Sequence, residues 1–122
     1  MAEILVVNLS FNSPEVTIIG PIKESTIDTL NDILPFSTTS ARGSNPDVPQ
    51  FQRKNSPQHW HLKLDGQYCD AEGISKFIVI LLDALEDEDD WKLLTAQSSN
   101  VRNNLPLQQN VLEHHKLIFS RK

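Results

Sequence analysis

The alternation of apolar and polar residues predicts two strands at the start of the chain. The segments EILVVNL at 3–9 and EVTII at 15–19 are short and rich in β-branched residues, as strands usually are. The segment SFNSP between them contains Asn, Ser and Pro, which favour a turn. The first segment is apolar at every position from 4 to 7, which is typical of a strand covered on both faces near the middle of a sheet. We therefore expect an N-terminal hairpin whose first strand is central.

Two longer segments have apolar residues at helical spacing. In KESTIDTLNDILP, residues 23–35, the apolar positions recur every three or four residues, acidic residues lie near the start, and Pro35 marks the end. The second segment begins after Asp70, a good N-cap, and its apolar residues between 74 and 85 extend almost all the way round the helix. Such a helix either packs deeply on the sheet or leaves an apolar surface for a partner to cover.

The segment HWHLKLDGQYCD, residues 59–70, predicts a β-hairpin. Its Asp-Gly pair at 65–66 suits a two-residue type I′ turn, because both residues tolerate positive φ angles. This register pairs His61 with Asp70. Alternation along the first strand then separates an apolar face from a polar face. The core face contains Trp60, Leu62 and Leu64, and the opposite face contains His59, His61 and Lys63.

The remaining segments predict a long polar connection and two C-terminal strands. Residues 36–57 are dominated by Ser, Thr, Asn, Gly and Pro without a helical or strand period, and a connection of this length is often functional or mobile. Within it, VPQFQRK at 48–54 is compatible with a short edge strand anchored by Phe51. The segments WKLLTA at 91–96 and EHHKLIFSRK at 113–122 predict the last two strands.

Together these elements predict an α+β fold. Their order is two strands, a helix, the long loop, two strands, a helix and two strands, or ββα-loop-ββαββ. The economical arrangement is a mostly antiparallel sheet of about five to six strands with both helices packed on one face, since each element then buries one face. A chain of 122 residues is long enough to build one core, so we expect a single α+β domain over 1–122 with a long polar loop at 36–57.

Composition narrows the classes of partner and compartment. The net charge of −5 repels polyanions, which disfavours nucleic acid and anionic membranes as partners. The most apolar segment is interrupted by Lys76 and Asp83 and is shorter than the ~20 residues of a membrane span. The N-terminus lacks the pattern of a signal peptide, and the single cysteine, Cys69, fits a reducing compartment. We therefore expect a cytoplasmic protein that has no membrane partner and for which nucleic acid is a disfavoured partner.

Two histidines two residues apart, His59 and His61, are the candidate metal ligands. On a strand they share a face at a spacing of about 6–7 Å, which is workable for a metal. A zinc site needs about four ligands, or three and a water. The nearest further candidates are Asp70 and, if the last strand is adjacent, His114 or His115. Because only Asp70 follows from local pairing, we expect the two histidines to face solvent, and we predict no metal or other cofactor.

The same hairpin offers the candidate catalytic pair. A carboxylate such as that of Asp70 would orient the ring of His61 and raise its basicity, as general acid–base catalysis requires. However, the sequence contains no P-loop, dinucleotide-binding glycine pattern, GxSxG elbow, HExxH or calcium-loop motif. We leave enzymatic activity open and favour a non-enzymatic protein.

An acidic run at the end of the second predicted helix is the candidate binding site. Acidic residues there oppose the helix dipole, at a cost of about 0.3–1 kcal/mol each when exposed, so stability alone does not favour them. They form either a contact surface for a basic protein or a solubilising helix end. Phe51 and Arg53 in the long loop are further candidate binding residues, and their combination of a stacking ring with a charge is also typical of a nucleic-acid contact. The run consists of Glu86, Asp87, Glu88, Asp89 and Asp90.

These observations favour a small protein-binding domain, of an adaptor, regulatory or inhibitor-like kind, that acts through the apolar helix and the acidic run. Its expected partner is a basic protein or a second copy of the chain. One alternative is a metal-dependent or acid–base enzyme built on the histidine-bearing hairpin. Another is a small-ligand binding domain with a pocket under the 36–57 loop.

Overall fold

In the computed structural model, the described part of the chain forms one six-stranded antiparallel sheet and two helices. The strands are β1 (Glu3–Ser10), β2 (Glu15–Ile19), β3 (Gln52–Lys54), β4 (His59–Lys63), β5 (Lys92–Ser99) and β6 (His114–Arg121). The helices are α1 (Glu24–Ile33), which continues into a 3₁₀ turn at Leu34–Phe36, and α2 (Ala71–Asp89). The described residues are 3–11, 14–37, 49–55, 58–64, 69–99 and 114–121. The predicted α+β class and the element order are confirmed.

The central position of β1 organises the sheet, whose strand order is β3-β4-β2-β1-β6-β5. β1 pairs with β2 on one side and with β6 on the other, so the predicted N-terminal hairpin is confirmed. Leu5, Val7 and Leu9 are buried beneath the helices, whereas Ile4 on the other face is 48% exposed. The prediction that β1 is covered on both faces is therefore wrong for the described residues, because both helices pack on the same face of the sheet.

The core lies between the sheet and the two helices. Apolar residues at helical spacing in α1 and α2 meet the inward-facing residues of the strands, as the period of each element dictates. Phe77 of α2 packs edge-to-face on Phe11, with 5.5 Å between the ring centroids. The largest fully buried side chains are Trp91, Phe77, Phe119, Leu5, Ile18, Ile27, Leu30, Leu34, Leu62, Leu64, Leu81 and Leu85.

Helix α2 begins at the predicted N-cap and buries most of its apolar surface. The side chain of Asp70 accepts a hydrogen bond from the backbone N–H of Gly73 at 2.8 Å. On the outer side of the helix Val79 is 62% exposed. Packing in the core therefore accounts for most of the apolar residues around this helix. Neither α1 nor α2 combines the length and apolar character of a membrane-crossing helix. The partly buried apolar residues of α2 are Ile78, Ile80 and Leu82.

The hairpin that contains the histidines differs from the predicted one. β4 pairs with β3 before it and not with the residues that follow it. His61 lies opposite Thr17 of β2 on one side and opposite Gln52 of β3 on the other, so both edges of the strand are occupied. The predicted pairing of His61 with Asp70 is therefore wrong. The predicted type I′ turn at 65–66 lies outside the described residues.

The predicted short edge strand is β3, and Phe51 anchors it. Phe51 is buried, and its backbone N–H donates to Oδ1 of Asn31 in α1 at 2.7 Å. The next residue but one, Arg53, places its guanidinium 4.6 Å from the ring centroid of Trp60 and 3.6 Å from a carboxylate oxygen of Glu24. A short, charged strand of this kind protects the edge of a sheet against further pairing.

Candidate functional site

The acidic run lies at the end of α2 and lines a concave surface. We call its four described side chains the acidic end. The acidic end consists of Glu86, Asp87, Glu88 and Asp90. The concavity has a volume of about 510 Å³ and is lined by the acidic end together with Glu3, Lys23 and Arg121. Asp89 belongs to the same run, but its side chain lies outside the described part of the chain.

Two carboxylates of the acidic end are held by contacts within the chain. Nζ of Lys92 donates to Oε1 of Glu86 at 2.8 Å, and this hydrogen bond and the negative charge of Glu86 raise the pKa of Lys92. Oγ1 of Thr29 in α1 donates to Oε1 of Glu88 at 2.9 Å. Both carboxylates are exposed, so these contacts orient them while adding little to stability.

Arg121 lines the concavity, and Trp91 packs against Arg121. Neither residue could be identified from the sequence. The Arg121 guanidinium lies 4.3 Å from the ring centroid of Trp91, a cation–π contact. Its Nε donates to Oε1 of Glu3 at 2.7 Å, and its Nη2 donates to the carbonyl oxygen of Pro21 at 3.2 Å. These partners are distant in sequence, so no local pattern predicts them. A fixed cation therefore lies beside the acidic end.

The backbone turns sharply where the acidic end stops. Asp90 adopts a left-handed conformation with φ 61° and ψ 28°. Its N–H donates to the carbonyl oxygen of Glu86 at 3.1 Å, and the N–H of Trp91 donates to that of Leu85 at 3.2 Å. The bond from Asp90 to Glu86 is the one that defines an αL-type helix end, where glycine is the preferred residue, and both bonds satisfy carbonyl groups in the last turn of α2. The turn directs the chain from α2 into β5.

Replacing Asp90 by glycine is expected to raise the free energy of unfolding by about 1 kcal/mol. Glycine adopts the left-handed conformation without the steric cost of a β-carbon, and the change removes a negative charge from a helix C-terminus. Urea denaturation measures the gain. Asp90→Ala is the matched control, because it removes the same charge and keeps the β-carbon. Equal stability of the glycine and alanine variants would contradict the left-handed conformation of this residue.

The histidines of β4 lie on the open face, which we define as the face of the sheet opposite the helices. The predicted alternation is confirmed by the register with β2, in which Trp60 and Leu62 lie opposite the buried Ile18 and Val16, whereas His61 lies opposite Thr17 on the other face. Nε2 of His61 contacts Oε2 of Glu15 at the start of β2. Asp70 caps α2 instead, so Glu15 and not Asp70 is the carboxylate beside this histidine.

The structure does not bring the further predicted metal ligands to the histidine pair on β4. Two strands, β2 and β1, separate β4 from β6, which contains His114 and His115. His115 lies on the helix side, where its ring centroid is 5.5 Å from that of Phe11 and its Nδ1 is 2.7 Å from Oγ of Ser98. Across residues 3–11, 14–37, 49–55, 58–64, 69–99 and 114–121, no group of three or more His, Cys, Asp and Glu side chains is placed to hold a metal.

The two sides of the molecule differ in charge. The strand registers place on the open face the basic or titratable side chains Lys54, His59, His61, Lys63, His114 and Lys116, with Glu15 as their described acidic neighbour. A central aliphatic strip on the same face contains Ile4, Val6, Ile19 and Ile118. By contrast, the two helices carry one lysine, Lys76, and the acidic residues Glu24, Asp28, Asp32, Glu72, Asp83, Glu86, Asp87, Glu88 and Asp89. Among the described residues, the two helices are therefore acidic and the open face is basic.

The candidate contacts in the 36–57 loop have different environments. The ring of Phe51 is in the core and is not presented to a partner. Arg53 is half-exposed and lines a concavity of about 480 Å³ with His59 and Trp60. Much of the loop, residues 38–48 and 56–57, lies outside the described ranges, and the predicted ligand pocket beneath it falls there.

Comparison with known proteins identifies a protein of similar structure. No family model matches the sequence, and a search of curated proteins finds no significant match. The crystal structure of a conserved kinetoplastid-specific protein from Trypanosoma cruzi is similar over 100% of both chains, with a TM-score of 0.77 and 23% sequence identity. At this level of identity, the likeness shows that the two proteins share the α+β fold described above.

Proposed function

We propose that the protein is a small, non-enzymatic protein-binding domain whose acidic end contacts a basic surface of another protein. The observation that carries this proposal is the separation of charge between the acidic helix side and the basic open face. A net charge of −5 distributed in this way gives the protein an asymmetric electrostatic field, which is negative on the helix side. Such a field orients an oppositely charged partner and speeds its encounter with the correct side.

Within the helix side, the acidic end concentrates charge on a concave surface. Its carboxylates lie at the C-terminus of α2, where they oppose the helix dipole, so helix stability does not explain their presence. Lys92 and Thr29 orient two of them, and Arg121 fixes one rim of the concavity. An arginine or lysine side chain of the partner would meet several oriented carboxylate oxygens, and a guanidinium would pair with them in a bidentate manner.

The apolar surface of α2 that is available to a partner is smaller than expected from the sequence. Most of that surface packs in the core, and Val79 is the strongly exposed apolar residue of the helix. Charge therefore dominates the expected contact. Because exposed charges more than ~10 Å apart are screened at about 0.1 M salt, binding should weaken as the ionic strength rises.

The enzymatic alternative would use Glu15 in place of Asp70 as the partner of His61. That pair lies on the open face, where β2 and β4 are neighbours. The small-ligand alternative depends on loop residues outside the described ranges. The separation of charge supports protein binding more directly than it supports either alternative.

A pair of variants with equal net charge tests the proposal. The first neutralises the acidic end through Glu86→Gln, Asp87→Asn, Glu88→Gln and Asp90→Asn. The matched control neutralises the same number of carboxylates elsewhere on the helices through Asp28→Asn, Asp32→Asn, Glu72→Gln and Asp83→Asn. An oligoarginine peptide serves as the basic probe, and its binding is followed by NMR titration at low salt.

We expect the acidic-end variant to bind the peptide about tenfold more weakly than the wild type, since each exposed ion pair contributes roughly 0.2–1 kcal/mol. The control should bind nearly as well as the wild type, and the resonances that shift should include the backbone amides of Glu86, Asp87, Glu88 and Asp90, which line the concavity. An equal loss in both variants would show that the peptide responds to net charge alone. That result would overturn the assignment of the acidic end as the binding site.

A further inference from the structure

Strand β5 is a long strand at the edge of the described sheet. It spans Lys92–Ser99, and within the described part of the chain it pairs with β6 alone. Its described side chains, from Lys92 to Ser98, are all exposed. The outer edge of such a strand presents a row of backbone N–H and C=O groups. A second extended strand can form hydrogen bonds with all of these groups. The backbone groups of this edge are therefore suited to pairing with another β-strand.

Two exposed leucines lie on the same edge. Leu93 is 44% exposed and Leu94 is 60% exposed. The register between β5 and β6 shifts between Leu93 and Thr95, so Leu94 forms a bulge. Bulges and charges are common devices that protect edge strands, but a bulge with an exposed leucine adds apolar surface for a partner to cover.

We infer that β5 is a self-association surface, on which the β5 strand of a second copy pairs antiparallel about a two-fold axis. The contact joins the two six-stranded sheets edge to edge. The same surface of each copy is used, so the assembly closes at two chains. The other edge, β3, is three residues long and contains Arg53 and Lys54, so it does not continue the sheet.

Charge favours a second copy as the occupant. The segment LTAQSS that follows Leu93 contains no ionisable residue, so two copies meet antiparallel without like charges opposite each other. Lys92, at one end of the strand, is already bound to Glu86. In a fully overlapped pair the two Lys92 residues are about 24 Å apart, which also keeps the two acidic ends apart. The acidic end thus remains available in each copy, and this inference does not depend on the proposed function.

The test is sedimentation velocity over a range from low micromolar to millimolar protein, with a matched pair of variants. Leu94→Lys places a charge on the edge, and Val79→Lys makes the same kind of change at an equally exposed position on α2. The wild type and Val79→Lys should form a species of twice the 13.8 kDa mass of one chain. Leu94→Lys should weaken the dimer by about tenfold or more.

Hydrogen exchange identifies the surface and the occupant. In the dimer, the outward-facing amides of β5 should exchange more slowly as the protein concentration rises. A wild type that stays monomeric at millimolar concentration would overturn the inference. So would a dimer that Val79→Lys disrupts and Leu94→Lys does not. Amides of β5 that are protected equally at every concentration would show that the same chain covers the edge, which would also overturn it.

Discussion

Replacing Gly20 by alanine is expected to lower the free energy of unfolding by about 3 kcal/mol. Gly20 ends β2 with φ 140°, a conformation that residues with a side chain rarely adopt. A β-carbon there would lie 2.8 Å from the carbonyl oxygen of Ile4 and 2.8 Å from Cδ1 of Leu5. The leucine side chain can move, but the carbonyl oxygen belongs to the central strand of the sheet. Strain and close contact therefore act together, and urea denaturation measures the loss.

Thr17→Ala is the control for this prediction, because Thr17 lies on the same strand with its side chain on the open face. Its expected cost is below about 1 kcal/mol. A loss for Gly20→Ala no larger than this control would contradict the close approach of the turn to β1. The turn also bears on the candidate site, since the carbonyl oxygen of Pro21 accepts a hydrogen bond from Arg121. Loss of the turn should therefore loosen one rim of the concavity.

The elements that could be predicted from the sequence are those with a period of their own. β1 and β2 are β-branched runs, and α1 and α2 have apolar residues every three or four positions. The N-cap of α2 was predictable as well, because Asp70 and Gly73 are neighbours on one helical turn. Interactions between residues close in sequence determine these elements and this cap. The fold class and the element order could therefore be predicted from them.

The pairing of β4 could not be predicted in the same way. The Asp-Gly pair at 65–66 favoured a hairpin with the following residues, but β3 and β2 occupy both edges of β4. β3 was predicted as a short edge strand, but it is three residues long and fully exposed, so no apolar alternation indicates which strand it pairs with. With β2 and β3 paired to β4, the side chain of Asp70 caps α2. Long-range pairing therefore outweighed the local turn signal.

The candidate site was predictable only in part, for the same reason. The acidic run is local, and its place at the end of α2 follows from the helical period. Its surroundings are not local, because Arg121 of β6 meets Glu3 of β1 and Pro21 of the turn after β2. Glu15, the partner of His61, is likewise 46 residues away from it. Contacts of this kind depend on the strand order, which the sequence analysis did not predict.

Trp91 lies between the two proposed binding surfaces, the acidic end and the edge strand β5. It follows the acidic end directly and precedes the first residue of β5. It is fully buried, and its ring supports the Arg121 guanidinium. Its backbone N–H also satisfies the carbonyl group of Leu85 at the end of α2. The position of this side chain therefore sets both the rim of the concavity and the start of the edge strand.

Replacing Trp91 by alanine is accordingly expected to lower the free energy of unfolding by about 3–5 kcal/mol, because it leaves a large cavity in the core. Trp91→Phe should cost much less, since it fills most of the space and keeps a ring beneath Arg121. Denaturation of both variants by urea measures the two losses. Val79→Ala, on the exposed side of α2, is the control and should change stability by less than about 0.5 kcal/mol.

A double-mutant cycle then isolates the contact between Trp91 and Arg121. The variants are Trp91→Leu, Arg121→Met and their combination, and the expected coupling is about 0.5–1 kcal/mol, as for other cation–π pairs of partial exposure. If the two substitutions are additive, the tryptophan stabilises the core without holding the arginine. In that case the contacts with Glu3 and Pro21 would position Arg121 without the tryptophan ring, and Trp91 would influence the acidic end through the backbone turn at Asp90.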